Sequence, residues 1–476
     1  MNIILNHNIM ISLFIAILLA AGQLVFYLPW QNTSQGRVSC SPNDIIILVL
    51  YCLLFIFLKK KKYIPSIFVR RVLFALIICS IMLLPLIIFH LLNGSSQFEF
   101  IGYLRNCYAT SIMLFVVDYF ATTRQTFTDL NILKKDIEDG ILIYASCIFL
   151  KVMINIFTLI IEGTYITGIL RISTSDICIS ILIISLYWQR IYSNTSKKIT
   201  RIYLLTQTIL IFPGMLVIGN RLGVMLYCVI SITMFALHFQ KDIRWLYRIP
   251  LFIFILVIIS ASCYLTSPSQ RVRANIVKSI NLIPPAIIET VLSKLSKHSL
   301  NINSDRSNAI TTSTDTNIKK IVKTGVNLAE GSNLIRKAYW YEGIHVFREH
   351  LLFGFGQRMV VTKSDLVKLP INHTIRTSLA HNFILDIGCL LGLFGIMNYL
   401  LFMSVVIIQL FFTRLLRLKL KIFLLLQFII YYSYGSLQPT ITGAVIVNEL
   451  IFCLVGLASS QIIIEKKKTE SHSGPS

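Results

Sequence analysis

Long apolar runs separated by short polar segments extend along nearly the whole of this chain. A run of about 20 apolar residues is long enough to cross the hydrocarbon core of a bilayer as a helix. The pattern therefore predicts an all-α, polytopic membrane protein with about twelve transmembrane helices. The predicted spans are residues 9–28, 45–58, 72–92, 101–120, 141–161, 177–188, 202–219, 222–239, 250–266, 383–412, 422–435 and 445–464. We expect the first span to be retained, because no small-residue cleavage site follows it.

The charge of the connecting segments predicts the orientation of these spans. Lys59 to Lys62 follow the second span, Lys466 to Lys468 follow the last, and basic clusters also follow the fourth, sixth, eighth and tenth. Basic connections remain on the cytoplasmic side of a membrane. Both termini are therefore expected in the cytoplasm.

One connection is much longer than the others and divides the chain. We expect helices 1–9 over residues 1–266, a large, partly helical external loop over 267–380, helices 10–12 over 381–464, and a cytoplasmic tail over 465–476. The loop is polar over Ser299–Thr316, which predicts a mobile tip. Its excess of Lys and Arg indicates either simple solubility or an anionic partner such as phosphate.

Composition supports this class and removes several others. The chain is 55% hydrophobic with a net charge of +23, and its mean hydropathy is +0.74. Its ten cysteines show neither zinc-site spacing nor a disulfide framework. No phosphate-binding glycine loop and no acidic pair for a metal-held nucleotide sugar is present, and no internal repeat indicates a transporter. No metal, cofactor or nucleic-acid partner is expected.

A histidine precedes the tenth predicted span and is the first candidate for chemistry. On one regular helix, His381, Gly388, Gly392 and Gly395 would share a face, with an imidazole above a strip that has no side chains. That strip would border either a neighbouring helix or a lipid chain. Such a face suits chemistry on the headgroup of a lipid-anchored substrate.

Arginines near the external ends of spans are the second set of candidates. Arg221 lies in the tight turn Gly219-Asn220-Arg221-Leu222-Gly223, and Arg171 lies just before the sixth span. A guanidinium stays charged and its fork matches phosphate oxygens. The alternative for Arg221 is that it has no role in binding, and that its side chain extends along the membrane so that the charge lies at the interface.

The end of the long loop contains a third candidate segment. Arg336, Trp340, Gly343 and Phe347 share a face at helical spacing, which predicts an amphipathic helix at the external interface with Trp340 as an anchor. The apolar turn Leu351–Gly356 follows. Plain packing is the alternative for the aromatic residues of this stripe, but not for Arg336.

Four ionisable residues fall inside predicted spans: Asp118, Lys151, Asp386 and Glu449. Such groups are costly in lipid and mark either polar cavities or ion pairs. We expect structural pairing, with Lys151 bound to one of the acids.

These segments together resemble the superfamily of O-antigen ligases and O-antigen polymerases. The resemblance rests on Asn220-Arg221-Leu-Gly before a membrane helix, on the Arg336–Gly356 stretch that ends in Gly-x-Gly, and on a final motif. That motif is His381-Asn382, nine residues, then Gly392-Leu-Phe-Gly395. The chain departs from the family by lacking Pro before Gly-x-Gly, and by lacking the Gly-Asn that often follows the upstream arginine, here Arg171.

The resemblance implies a metal-independent glycosyltransferase of the bacterial inner membrane, with its active site on the periplasmic side. The donor would be a glycan on undecaprenyl diphosphate, and the acceptor a sugar hydroxyl of lipid A-core or of another carrier-linked glycan. His381 would act as general base, and Arg336 and Arg221 would stabilise the leaving diphosphate. Arg171, Asn382, Trp340, Gly392 and Gly395 would contact substrate.

Three functions are compatible with the resemblance and the predicted topology. The single large loop favours an O-antigen ligase working in lipopolysaccharide biosynthesis with inversion at the anomeric carbon. A polymerase that joins carrier-linked repeat units is the alternative. A flippase for lipid-linked glycans fits less well, since a transporter places its ionisable groups at mid-membrane.

Overall fold

The computed structural model describes residues 2–21, 26–27, 39–40, 42–93, 103–123, 127–162, 174–191, 198–238, 245–267, 270–279, 289–290, 293, 308–356, 380–413, 416, 418–437 and 445–472. Nearly all of these residues are helical, as the hydrophobic pattern predicts. The helices are α1 (Asn2–Ala21), α2 (Pro42–Lys59), α3 (Ile67–Leu92), α4 (Ile112–Thr122), α5 (Phe127–Ile161), α6 (Thr174–Ile191), α7 (Lys198–Ile218), α8 (Arg221–His238), α9 (Trp245–Thr266), α10 (Gln270–Ser279), α11 (Asn308–Glu349), α12 (Phe383–Phe412), α13 (Leu418–Leu437) and α14 (Val445–His472). A short antiparallel pair joins β1 (Phe26–Tyr27) to β2 (Ser39–Cys40).

Every predicted span overlaps one of these helices. The length and apolar composition of the helices are those of a membrane protein. Within the described residues, five helices are long and apolar enough to cross a membrane: Ile67–His90, Asp129–Thr158, Phe383–Phe412, Leu420–Leu437 and Val447–Lys466. Shorter apolar helices lie at several other predicted spans. The number of twelve crossings stays a prediction.

Two segments differ from the pattern-based expectation. The predicted span 101–120 does not form one regular helix, since the 3-10 turn Ala109–Ser111 precedes α4. The polar stretch predicted as a mobile tip is helical from residue 308 onward, as the first turns of the 42-residue helix α11. The lower helix propensity of Ser, Thr and Asn amounts to less than about 1 kcal/mol per residue, which a continuing helix overrides.

The first compact unit comprises residues 1–144 and 336–476. Its core forms where α14 packs on α4, and where α3 packs on α12. Gly456 permits close approach of the first pair, since a Cβ there would lie 2.8 Å from Val117. In the second contact, the buried Asn398 amide donates to the Cys79 carbonyl oxygen at 2.9 Å. A polar side chain thereby joins α12 to α3.

The second unit comprises residues 145–335. In it, α6 packs on α7 and α8, and α10 packs back onto α7. Asn275 of α10 donates to the Val217 carbonyl oxygen at 3.1 Å, so the beginning of the predicted external loop caps the end of α7. Lys151 pairs with Asp176 at 2.8 Å. This confirms that Lys151 is paired with an acid, although Asp176 was not among the acids expected within spans.

Candidate active site

The start of α12 is capped by Asn382, the residue after the candidate histidine. The Asn382 side-chain oxygen accepts the backbone N–H groups of Ile384 at 3.0 Å and of Leu385 at 3.3 Å. These are donors that the first turn of a helix leaves without an intrahelical partner. Asn382 therefore determines that the helix begins at Phe383, and its predicted contact with substrate stays a prediction.

His381 lies outside this helix, in a left-handed backbone conformation with a φ of 55°. That conformation costs a non-glycine residue about 1–2 kcal/mol, so neighbouring contacts must hold it. The Asp386 carboxyl accepts the Ala380 N–H at 2.6 Å, and the Asp386 N–H donates to the Asn382 carbonyl oxygen at 2.8 Å. The two bonds bracket His381 on both sides along the chain.

The positioning of the His381 turn by Asp386 was therefore not predicted from the sequence. Asp386 is buried, with 8% of its surface exposed, and it was expected only to form an ion pair. The available signal was an acid in the first turn of a helix that begins with an Asn cap.

The imidazole of His381 stacks on Tyr339 of α11. The two ring centroids are 5.0 Å apart and the ring planes differ by 7°. Tyr339 is 7% exposed, and burial raises the pKa of its phenol, which therefore remains neutral. The stack fixes the plane of the imidazole, so that its two ring nitrogens face sideways rather than towards Tyr339.

Arg336 lies one helical turn before Tyr339, on the same face of α11. Residues three or four apart on a helix are neighbours on its surface. Further along this face, a Cβ at Gly343 would lie 3.1 Å from the Ala380 side chain, and the Cys389 thiol donates to the Gly343 carbonyl oxygen at 3.3 Å. This face of α11 therefore packs against the start of α12, and the half-buried Arg336 lies one turn of α11 before the Tyr339 ring that stacks on His381.

Trp340 belongs to the same stretch and is also half-buried. Its indole nitrogen is buried and has no hydrogen-bond partner among the residues that the structure describes. A buried indole N–H normally finds an acceptor. The predicted contact of Trp340 with substrate stays a prediction.

The glycine strip of α12 does not form one regular helical face. Gly392 has a φ of 66° and a ψ of −161°, so the helix is interrupted there. The prediction that His381, Gly388, Gly392 and Gly395 share a face is wrong, because both His381 and Gly392 have non-helical backbone. A pattern of residue types shows periodicity, but it does not show where the backbone departs from it.

The apolar turn after α11 fills the interruption. Phe355 and Gly356 donate their N–H groups to the carbonyl oxygens of Cys389 at 2.7 Å and Leu390 at 3.1 Å. In return, the Leu393 N–H donates to the Leu351 carbonyl oxygen at 2.7 Å. The broken helix and the turn thus satisfy each other's backbone groups.

Gly392 and the Gly-x-Gly turn are needed for this close approach. A Cβ at Gly392 would lie 2.3 Å from the Leu352 carbonyl oxygen, and one at Gly354 would lie 2.5 Å from the Gly392 nitrogen. Gly388 faces Phe347 of α11, where a Cβ would be 2.9 Å from the ring. Of the two alternatives for the strip, packing within the chain is the one that this geometry supports.

Arg221 belongs to the second unit and opens α8. The preceding Asn220 caps the helix, its side-chain oxygen accepting the Gly223 N–H at 2.8 Å. The guanidinium of Arg221 donates to the Asn333 side-chain oxygen of α11 at 2.8 Å. Arg171 lies outside the described residues.

Among the residues described, no three His, Cys, Asp or Glu side chains group closely enough to hold a metal ion.

Comparison with known proteins supports the resemblance drawn from the motifs. Residues 207–400 match the family model described as O-antigen ligase, in agreement with the resemblance drawn from the motifs. The matched segment contains Arg221, Arg336 and His381. A search of curated proteins finds no match.

Proposed function

We propose that this protein, whose residues 207–400 match the O-antigen ligase family model, transfers a glycan from undecaprenyl diphosphate to a sugar hydroxyl of lipid A-core. The match supports a glycan transfer in polysaccharide biosynthesis with lipid-linked glycan substrates. The observation that carries the proposal is the His381 turn, held by Asp386 and stacked on Tyr339, with Arg336 one helical turn from Tyr339 on the same face of α11.

His381 is the general base in this proposal. A neutral imidazole takes the proton of the acceptor hydroxyl while the oxygen attacks the anomeric carbon of the donor. The bond from that carbon to the diphosphate oxygen breaks, so the configuration inverts. The products are the glycosylated acceptor and undecaprenyl diphosphate, and the proton remains on His381 until solvent removes it.

Arg336 is the residue proposed to stabilise the leaving group. The diphosphate gains negative charge as the anomeric bond breaks, and without a metal this charge requires positioned donors. Arg336 is half-buried, where its charge is screened less than at an open surface. Arg221 is proposed for the same task on the basis of the family motif, and Arg171 as a further contact.

The active site is proposed to lie on the periplasmic side of the inner membrane, with both termini in the cytoplasm. The support is the alternation of basic segments, together with His381 and Arg336 at the external ends of their predicted segments.

A deletion strain tests the choice of acceptor. Loss of a ligase leaves lipid A-core without any polysaccharide, while long chains accumulate on the lipid carrier. Core capped by a single repeat would instead identify a polymerase and would contradict the proposal.

Substitution of His381 by Ala tests the catalytic assignment in the same strain. We expect the variant to insert into the membrane at the level of the native protein and to restore no transfer, because general-base catalysis contributes about 10²–10⁴-fold. His345 provides the matched control, since it is an exposed histidine of α11 whose ring nitrogen lies 3.4 Å from the Glu349 carboxylate. Full transfer by His381→Ala, or an equal loss in His345→Ala, would remove His381 from the mechanism.

A further inference from the structure

A pocket of about 700 Å³ opens in the first unit, far from the His381 turn. It lies between the start of α3, the end of α12 and the second half of α14. In the part of α12 after the interruption at Gly392, residues 393 and 408 alone are separated by roughly 22 Å at 1.5 Å per residue. The pocket is therefore a separate site at the opposite end of the same helix.

Apolar side chains form most of the pocket wall. Ile67 of α3, Ile408 of α12 and Ile463 of α14 all line it. Ile67 and Ile408 are exposed, at 57% and 49% of their surface. A volume of this size is typical of sites for drug-sized molecules and is much larger than a single phosphate ion requires. The wall suits hydrocarbon.

Three cations from two different helices also line the pocket: Arg70, Arg71 and Lys466. The Arg70 side chain donates to the Pro65 carbonyl oxygen at 3.0 Å, and Arg71 donates to the Gln409 side chain at 2.7 Å. Each guanidinium carries five N–H donors, so these single bonds orient the two side chains and leave donor capacity towards the pocket. The arrangement suits the oxygens of a phosphodiester.

One buried polar group points to the same conclusion. Ser459 of α14 lines the pocket and has no exposed surface. Its hydroxyl has no hydrogen-bond partner within the described part of the chain. A buried hydroxyl without a partner is unfavourable by about 1–3 kcal/mol, and a headgroup oxygen that displaces the side chains covering Ser459 would relieve this cost.

We propose that this pocket binds one anionic phospholipid, with its phosphate against Arg70, Arg71 and Lys466 and an acyl chain along the isoleucine wall. The positive-inside rule predicts that this end of the helices faces the cytoplasm. Basic pockets between transmembrane helices on that side suit anionic headgroups. The proposal concerns a site independent of glycan transfer, and it does not rest on the proposed reaction.

The test measures binding to the full-length protein purified in a neutral detergent. The protein is titrated with phosphatidylglycerol, with phosphatidylcholine and with inorganic phosphate, and bound molecules are counted by native mass spectrometry. We expect phosphatidylglycerol to bind at least tenfold more tightly than phosphatidylcholine. Equal binding of the two lipids would overturn the proposal, and so would inorganic phosphate that binds as tightly as phosphatidylglycerol.

Substitutions locate the headgroup. A basic residue near anionic lipid contributes about 1 kcal/mol, so changing Arg70, Arg71 and Lys466 singly to Gln should weaken phosphatidylglycerol binding about fivefold each, and together about a hundredfold. The control changes Lys60, Lys61 and Lys62 to Gln, which removes the same charge from exposed residues that do not line the pocket. Equal losses in the two triple variants would mean diffuse attraction and would overturn the pocket.

A second pair of variants tests the wall without removing any cation. Ile408→Glu places a carboxylate beside the three cations, whereas Ile408→Gln has nearly the same shape and no charge. We expect Ile408→Glu to bind phosphatidylglycerol at least tenfold more weakly than Ile408→Gln. Equal affinity in this pair would overturn the proposal even if the triple variant failed to fold.

Discussion

Removal of the Asp386 carboxyl is the perturbation that tests the candidate site most directly. In Asp386→Ala, the Ala380 N–H loses an acceptor at 2.6 Å, and Ala380 is only 1% exposed, so water does not readily replace it. A buried donor left without a partner costs about 1–3 kcal/mol. The left-handed backbone of His381 then loses one of the two contacts that hold it.

The expected effect on transfer follows from these energies. If about 2 kcal/mol of this loss favours a displaced His381 turn, the equilibrium constant between the competent and the displaced turn falls about thirtyfold, at 1.36 kcal/mol per factor of ten. The left-handed backbone of His381 already costs about 1–2 kcal/mol, so we expect the displaced turn to predominate and kcat to fall by up to about thirtyfold in Asp386→Ala. Asp386→Asn keeps an oxygen acceptor of the same shape, and it should remain within a few-fold of the native protein.

The assay is transfer from a lipid-diphosphate donor by the full-length protein in detergent, together with thermal unfolding of each variant. Asp118→Ala is the matched control. Asp118 is also buried, and it accepts the Tyr63 hydroxyl at 2.6 Å and the Ser66 N–H at 3.0 Å. It should therefore lose stability while transfer per folded molecule is unchanged. Native activity in Asp386→Ala, or an equal loss of activity in Asp118→Ala, would refute the positioning role.

Three further substitutions test the surrounding residues. Tyr339→Phe keeps the stack on His381 and should retain transfer, whereas Tyr339→Ala should lower kcat about tenfold, because aromatic pairs contribute about 0.5–1.5 kcal/mol. Equal activity of these two variants would exclude a role for the stack. Gly392→Ala places a Cβ 2.3 Å from the Leu352 carbonyl oxygen and should lower the yield of folded protein. Gly343→Ala, with a 3.1 Å contact to the Ala380 side chain, should destabilise the protein less. If Gly343→Ala unfolds at a lower temperature than Gly392→Ala, the packing account is contradicted. Arg221→Lys should reduce transfer, since lysine keeps the charge but loses the planar fork; full activity would leave only a long-range effect of charge.

Much of the helical architecture was predictable, and the reason is physical. Backbone polar groups in a bilayer must be satisfied within their own segment, so an apolar run of sufficient length has few alternatives to a helix. The predicted span 383–412 coincides with α12, and 222–239 with α8 to within one residue. The helical structure of the polar segment from residue 308 was harder to predict, because its composition favours neither helix nor loop strongly.

The site was predictable only in part. The motif named His381, Asn382 and Arg336 as candidates for proton transfer, substrate contact and phosphate binding, and these roles stay predictions. It did not indicate that Asn382 caps α12. It did not identify Tyr339 as the stacking partner of His381, because forty-two residues separate the two positions in the chain. A contact at that separation is decided by how α11 docks on α12.

The interruption of α12 shows most clearly which features the sequence determines and which depend on the tertiary structure. The residue order determined that Gly392 and Gly354 have no side chains, that a long apolar helix forms, and that a histidine precedes it. Long-range backbone hydrogen bonds between residues 351–356 and 389–394 determined that the helix breaks at Gly392 and that the His381 turn lies against α11. The first set of features depends on the chemistry of each residue and its near neighbours. The second depends on two distant segments satisfying each other's backbone groups, which no local pattern specifies.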